Sequence, residues 1–329
     1  VGERHREPLS QETQLNILQL LKASGAKLAI GIEWLPYTSQ SALDRYLAGK
    51  IDTTGMLKES GWVKSWGHSF SAYRAIIQFA KRHKIPIWGL NAPKLLVKRV
   101  ARGGLAALTE AERRALPPLG LGDKAHRAYF DRLIGHGRHH GGGHHRGLMD
   151  RYFLAQVVRD ATMAHVLVKH LKSDAGRGRV AVVFAGRGHI EHGVGIPVRA
   201  ARFLGAPYII VLPARSTKRR QIARYLGKTI YPHKHADYLW VPARNRVTEL
   251  VPLSSDPVHA PALFLRKWAD VLCACKTPKC LMQIQARFSK LAKKAFARRR
   301  TTKAAQARFS AEVKRFTNRV RGCLKLIMK

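Results

Sequence analysis

Lys27-Leu-Ala-Ile-Gly-Ile-Glu33 is a short run of apolar and glycine residues closed by a carboxylate. Such a run is too short for an ordinary helix and lacks the polar alternation of a half-solvated strand, so it reads as a strand buried on both faces. Four more runs share this character: Ile85-Pro-Ile-Trp-Gly-Leu-Asn91, Arg179-Val-Ala-Val-Val-Phe-Ala185, Tyr208-Ile-Ile-Val-Leu212 and Asp237-Tyr-Leu-Trp-Val241. Helix-period segments lie between and around them, at 11–23, 70–83, 93–102, 151–172, 197–204 and 217–226. Alternation of this kind predicts a three-layer α/β fold, with a mainly parallel sheet and helices on both faces. Val1 reads as the last residue of a further, truncated strand.

The 329 residues carry 60 Lys and Arg against 20 Asp and Glu, a formal charge of +40. An apolar fraction of 46% with 8% aromatic residues excludes a disordered basic tail. No stretch has the roughly 18 apolar residues of a membrane-spanning helix. The charge is concentrated: residues 266–329 hold 19 Lys and Arg against Asp270 and Glu312. There Leu281, Ile284, Phe288, Leu291 and Ala295, then Phe309, Val313, Phe316, Val320 and Cys323, keep heptad spacing on either side of Arg298-Arg-Arg-Thr-Thr302. The expectation is an antiparallel helical hairpin. It gathers Cys323 near Cys273, Cys275 and Cys280, all four cysteines of the chain. Two disulfides follow, Cys323 pairing with Cys273 or Cys275 and the other closing on Cys280, which implies an oxidising, extracytoplasmic compartment. The organisation expected is therefore an α/β domain over 1–242, a linker over 243–265 and a basic, stapled hairpin over 266–329.

In parallel sheets ligands gather at the carboxyl ends of the strands. The polar residues of this chain appear there: Glu3 and His5 after the first strand, Glu33 after the second, Asn91 after the third, His189 after the fourth. Two of them complete the same pattern, Gly2-Glu-Arg-His5 and Gly186-Arg-Gly-His189. Glycine lets the chain turn as the strand ends, and the histidine can fold back over the sheet edge. A strand-end Glu or His can also merely satisfy a loop, and Asn91-Ala-Pro93 is an ordinary turn signal. The matched pair around Glu33 points to a shared polar site. Two imidazoles and one or two carboxylates suit a divalent metal held by His5, Glu33 and His189 with a position open to water. Alternatively His5 acts as a base oriented by Glu33. No nucleophile elbow and no phosphate-binding glycine loop is present.

Gly2-Glu-Arg-His5, Gly31-Ile-Glu33, Tyr73-Arg74, Leu90-Asn-Ala-Pro93, Gln156-Val-Val-Arg-Asp-Ala-Thr-Met-Ala164 and Ala185-Gly-Arg-Gly-His189 with Gly195-Ile-Pro197 occur in the order of a known family. Over roughly residues 1–242 the chain resembles the ChaN-like haem-binding lipoproteins, part of the haem-uptake and Tiki superfamily that also includes erythromycin esterases. The resemblance implies haem as ligand, an iron-acquisition role in the bacterial envelope, periplasmic or anchored to the outer membrane, and a homodimer. It implies a ligand site of Glu3, His5, Glu33, Tyr73, Asn91, Arg159, Asp160 and His189. It also implies a tyrosine on the iron, for which Tyr37, Tyr46, Tyr73 and Tyr152 are candidates. Where relatives carry a His pair after the first motif, this chain has Ser10-Gln11. Tiki-like and esterase relatives imply hydrolysis instead, with Glu3, His5, Glu33 and His189 as catalytic residues.

His136, His139, His140, His144 and His145, interleaved with four glycines, read as a loop before a helix starting near Met149, able to offer imidazoles to a metal or to haem. The basic hairpin suits an anionic envelope surface or polysaccharide. Charge of +40 alone would draw nucleic acid, but no motif that reads sequence accompanies it, so sequence-specific nucleic-acid binding is not expected.

Overall fold

The computed structural model of the chain describes residues 1–134, 143–214, 229–230, 233–241 and 249–252. Residues 1–18 and 27–251 belong to one compact unit. Its elements in order are β1 (Gly2–Glu3), α1 (Pro8–Ala23), β2 (Leu28–Pro36), α2 (Gln40–Leu47), α3 (Thr53–Glu59), α4 (Trp62–Ser65), α5 (Arg74–Arg82), β3 (Ile87–Asn91), α6 (Lys94–Gly103), α7 (Glu110–Arg114), α8 (Lys124–Ile134), α9 (Gly143–Lys172), β4 (Val180–Gly186), α10 (Ile196–Leu204), β5 (Val211–Pro213), β6 (Thr229–Ile230), β7 (His233–Lys234), β8 (Tyr238–Val241) and β9 (Glu249–Pro252). The end of α1 and the turn after it, Gln19–Ala26, cluster into a second unit with the residues from Pro252 onward.

Four strands form the sheet that carries the site, in the spatial order β3-β2-β4-β1, all parallel. Its strands come from the apolar runs read in the sequence: Ile32 lies opposite both Gly89 and Phe184, and Glu3 opposite Gly186. Because β4 is inserted between β1 and β2, both Gly-x-x-His motifs and Glu33 end on neighbouring strands. A register irregularity in β2 between Ile32 and Pro36 falls beside the site. A second sheet, β5-β8-β9, is parallel where β5 meets β8, and β6 and β7 make an antiparallel pair.

Successive residues of a strand face opposite sides of a sheet, and β2 shows what covers each side. Trp34 packs on Trp62 of α4 at 6.3 Å, on Tyr73 at 4.3 Å and on Phe184 at 6.1 Å between ring centroids, an aromatic core on one face. Glu33, its neighbour, turns instead to Arg159 of α9. Helix α9 packs against α6, α10 and β3. Helices therefore cover both faces, as the alternation of the sequence predicts. No helix among the described residues is long and apolar enough to cross a membrane.

Several elements depart from the sequence reading. Helix α9 begins at Gly143, six residues before Met149, so His144 and His145 are helical despite the glycines around them. Extending an existing helix by a turn costs little once its body is packed, even with glycine's poor propensity. His136, His139 and His140 lie outside the described residues. The run at 208–212 enters the sheet only at Val211, because the amides of Asp237 and Tyr238 occupy the Ile210 carbonyl at 3.0 Å each. Helices α2, α3, α4, α7 and α8 were not legible as periodic runs. Most are short, and two are marked by caps: in α3 Asp52 accepts from the Gly55 amide at 2.7 Å, and in α7 Thr109 and Glu112 form a reciprocal capping box. β9 falls within the segment 243–265 read as linker. The helix expected at 217–226 and the basic hairpin at 266–329, with Cys273, Cys275, Cys280, Cys323 and their disulfides, lie outside the described residues.

The β2–β3 junction tolerates no side chain at Gly89. A Cβ there would meet the carbonyl oxygens of Pro36 at 2.8 Å and Leu35 at 3.2 Å, backbone atoms that cannot swing away. Gly89→Ala is expected to cost about 2 kcal/mol, measured as a lowered urea midpoint. An unchanged midpoint would show that the β2 irregularity yields.

Candidate functional site

The first Gly-x-x-His motif builds a buried carboxylate and an open imidazole. Glu3 is 2% exposed and sits where β1 ends. Its Oε1 accepts from His5 Nδ1 at 2.8 Å and from the Tyr73 hydroxyl at 3.2 Å. Its Oε2 accepts from Gln14 Nε2 at 2.7 Å and from Trp34 Nε1 at 3.3 Å. Four donors saturate the carboxylate, which suits the ionised form. Burial, and then the adjacent Glu3, push the Tyr73 hydroxyl far above its ordinary pKa, so it stays a donor. His5 meets this carboxylate through Nδ1, so Nε2 is the ring nitrogen not engaged by Glu3. The residue that orients His5 is therefore Glu3, not Glu33. The strand ends at Glu3, and the turn that follows folds His5 back onto its carboxylate.

The second motif closes a different network. His189 lies buried between two carboxylates, with Nδ1 2.5 Å from Asp160 Oδ1 and Nε2 3.2 Å from Glu33 Oε1. Glu33 also takes a charged hydrogen bond from Arg159 Nη2 and the Gly186 amide at 2.5 Å. Burial alone would raise the pKa of Glu33, but His189 and then Arg159 overcome it and hold the carboxyl far below its ordinary value. Burial is likewise outweighed at Asp160 by His189 and His126, leaving a pKa of about 2. Burial alone would lower the pKa of His189; Glu33, and after it Asp160, raise it to about 9 against the repulsion of Arg159. His189 is an imidazolium at neutral pH, with both nitrogens committed. Both ring nitrogens of His189, expected to serve a metal, face carboxylates in this arrangement. Among the described residues no group of three or more His, Cys, Asp or Glu is arranged to hold a metal ion.

Arg159, Asp160 and Gln156 reach the site from α9; the Gln156 amide lies 2.9 Å from His189 Nδ1 and donates to the Gly188 carbonyl at 3.2 Å. Asn91 donates to the Glu33 carbonyl at 3.0 Å and accepts from the Ala92 amide at 2.9 Å, so it fixes the β2 and β3 ends. Ser10 accepts from the Arg4 amide at 3.1 Å. Sequence reasoning missed Gln14, Trp34 and His126. Only His126 had a signal of polarity in the wrong place, since it is buried beside Tyr129 and Phe130 on α8; Gln14 lies among the buried polar residues Ser10, Gln11 and Thr13 of α1.

Above the two networks lies a cavity of about 290 Å³, bounded by His5, Glu33, Arg159, Arg187 and His189, with Phe130, Leu133 and Ile134 as an apolar wall. Gly186 has no side chain here for a reason: a Cβ would fall 3.0 Å from His5 Cε1, 3.1 Å from His5 Nε2 and 3.3 Å from Glu33 Oε2. Trp66 stands edge-on to the His5 ring at 4.7 Å, and His68 lies 5.4 Å from it.

A sheet whose strand ends present this paired Gly-x-x-His constellation agrees with the family model described as haem-binding uptake, Tiki superfamily, ChaN, which matches residues 1–200. The chain belongs to the ChaN family. Among solved structures it is similar to the ChaN of Campylobacter jejuni described as showing cofacial haem binding, at 19% identity and a TM-score of 0.53, covering 72% of this chain and 84% of that one. At that identity the likeness concerns the fold. The C-terminal region of Pasteurella multocida toxin also matches, at 13% identity and a TM-score of 0.34 over 76% of this chain and 24% of that one, a likeness too weak to carry an argument. No curated protein matches. Of the tyrosines considered for iron in this ChaN-family chain, Tyr73 is bound to Glu3 and Tyr46 is buried under the Lys81 ammonium, 4.0 Å from the ring centroid. Tyr37 and Tyr152 are exposed, and none of the four lines the cavity.

The buried charges set a pH dependence. The depressed carboxylates contribute stability that is complete above their ordinary values of 4.5 and 3.8 and lost on acidification. The raised His189 contributes stability that is complete below 6.5 and lost as pH rises through about 9. The melting temperature should be highest between pH 4.5 and 6.5 and fall on the alkaline side by on the order of 2 kcal/mol of stability. Melts of His189→Gln should lack that alkaline decline. A wild-type melting temperature level to pH 9 would contradict the assignment.

Proposed function

We propose that the chain is a haem-binding protein of iron acquisition at the bacterial cell envelope, with His5 Nε2 as the group it offers to iron. The observation that carries this reading is the setting of His5: Glu3 holds its Nδ1 at 2.8 Å, and the residue borders a cavity with an apolar wall. Imidazole nitrogen is a common iron ligand, and a carboxylate on its far nitrogen raises its basicity. Leu133, Ile134 and Phe130 suit a planar apolar macrocycle. Membership of the ChaN family and the haem bound by its Campylobacter relative support the ligand class. A homodimer is part of the proposal, since cofacial haems require two haem-bearing faces. The envelope location rests on the cysteines of the sequence and on the family.

Titration with haemin should shift the Soret band at a defined stoichiometry. His5→Ala should weaken binding by roughly tenfold or more and change the spectrum, with an unchanged melting temperature. A wild-type protein that leaves the Soret band of haemin unmoved would sink the reading; an identical spectrum in His5→Ala would remove His5 from the iron.

Hydrolysis is the second reading, favoured by the same Glu3–His5 pair. A histidine fixed in one tautomer by a buried carboxylate is equipped to take a proton from water. On this reading haem-free protein hydrolyses an activated ester, and both His5→Ala and Glu3→Gln abolish the rate. The committed state of His189 argues against its service as base or metal ligand.

A further inference from the structure

A second cavity, of about 340 Å³, opens beside the N-terminal half of α6. Trp66, Val97 and Ala101 give it apolar walls, and Lys94, Lys98 and Arg159 place cations on it. Arg159 is already paired with Glu33. The two lysines are different. They stand four residues apart, hence on one face of α6, and among the described residues neither forms an ion pair. Lys94 reaches only the Lys64 carbonyl, at 2.9 Å. Arg99 of the same helix points to Glu112, so the lack of a carboxylate partner is a property of this face and not of the helix.

Two features tie this cavity to the one that holds His5. Arg159 bounds both, and Trp66, which walls the second cavity, packs edge-on against the His5 ring at 4.7 Å. A ligand spanning the two meets an imidazole with one part and two unpaired ammonium groups with another.

We propose that the cavity between Trp66 and the Lys94–Lys98 face of α6 is a subsite for the carboxylate-bearing edge of a planar apolar ligand. The proposal rests on the haem-binding reading and assigns a propionate edge of haem to these lysines. Trp66 and Val97 supply dispersion contact to the ring edge. The lysines, point charges on flexible stems, supply charge-assisted hydrogen bonds to the carboxylates.

The test compares haemin with its dimethyl ester, which has the same macrocycle without the charges, followed by Soret absorbance and by quenching of tryptophan emission. Wild-type protein should prefer haemin by roughly tenfold, the worth of one charge-assisted contact. Lys94→Ala/Lys98→Ala should bring the two ligands to similar affinity, and Lys94→Arg/Lys98→Arg should restore the preference. A preference that survives the double alanine variant, or an equal loss of both ligands, would overturn the subsite. Failure of haemin to bind wild-type protein at all would instead defeat the parent reading. The subsite is then judged with 2-naphthoate against 2-naphthol: carboxylate-dependent quenching lost in the double alanine variant sustains it, and equal quenching by both compounds overturns it.

Discussion

Two carboxylates, Glu33 and Asp160, are held ionised where almost no water reaches them, and much of the site's construction answers that demand. A buried carboxylate without a partner costs several kcal/mol. Glu33, 2% exposed, and Asp160, fully buried, share one imidazolium between them. Arg159 and the Gly186 amide complete the shell of Glu33, and His126 Nε2 stands 3.2 Å from the second oxygen of Asp160. The groups come from β2, β4, the loop after β4, α8 and α9. Neutralising the charges thus brings α9 over one end of the sheet, and that docking places the roof of the cavity. The charges consumed internally are those that sequence patterns would first nominate for chemistry.

The division of labour between the two matched motifs follows. Both place histidine three residues after a glycine of a parallel strand, Gly2 in β1 and Gly186 at the end of β4, yet one histidine is enclosed and the other borders the cavity. The difference lies in the second neighbour. Glu3 takes one nitrogen of His5 and fills its remaining capacity with Gln14, Trp34 and Tyr73, whereas Glu33 and Asp160 take both nitrogens of His189. The same Gly-x-x-His spacing therefore yields two histidine environments, selected by partners.

That asymmetry marks how much was legible beforehand. The strands, their parallel order and the strand-end position of Glu3, His5, Glu33, Asn91 and His189 follow from apolar runs and turn chemistry, which are local. The partner of each histidine does not. Glu33 stood in the sequence as the orienter of His5; the inserted strand β4 and the pairing of Glu33 with α9 leave that task to Glu3. Helix α9 was legible as a helix but not in its first turn, since glycine and histidine composition argues for a loop and packing overrules composition. Arg159 and Asp160 were visible through family motifs, whereas the open lysine face of α6 had no signal, because the absence of acidic neighbours is a property of three dimensions.

The bare α-carbon of Gly186 has a consequence for inheritance. The volume that a methyl group would need at this position is already held by the imidazole of His5, in the turn after β1 and 181 residues away in the chain. A mutation at 186 is therefore read against the state of position 5, and the reverse. With histidine in place, almost any replacement displaces the ring or the Glu33 carboxylate; with a small residue at 5, the same replacement finds room. The two codons are epistatic by simple exclusion, and lineages that lose one motif are released to alter the other only in that order.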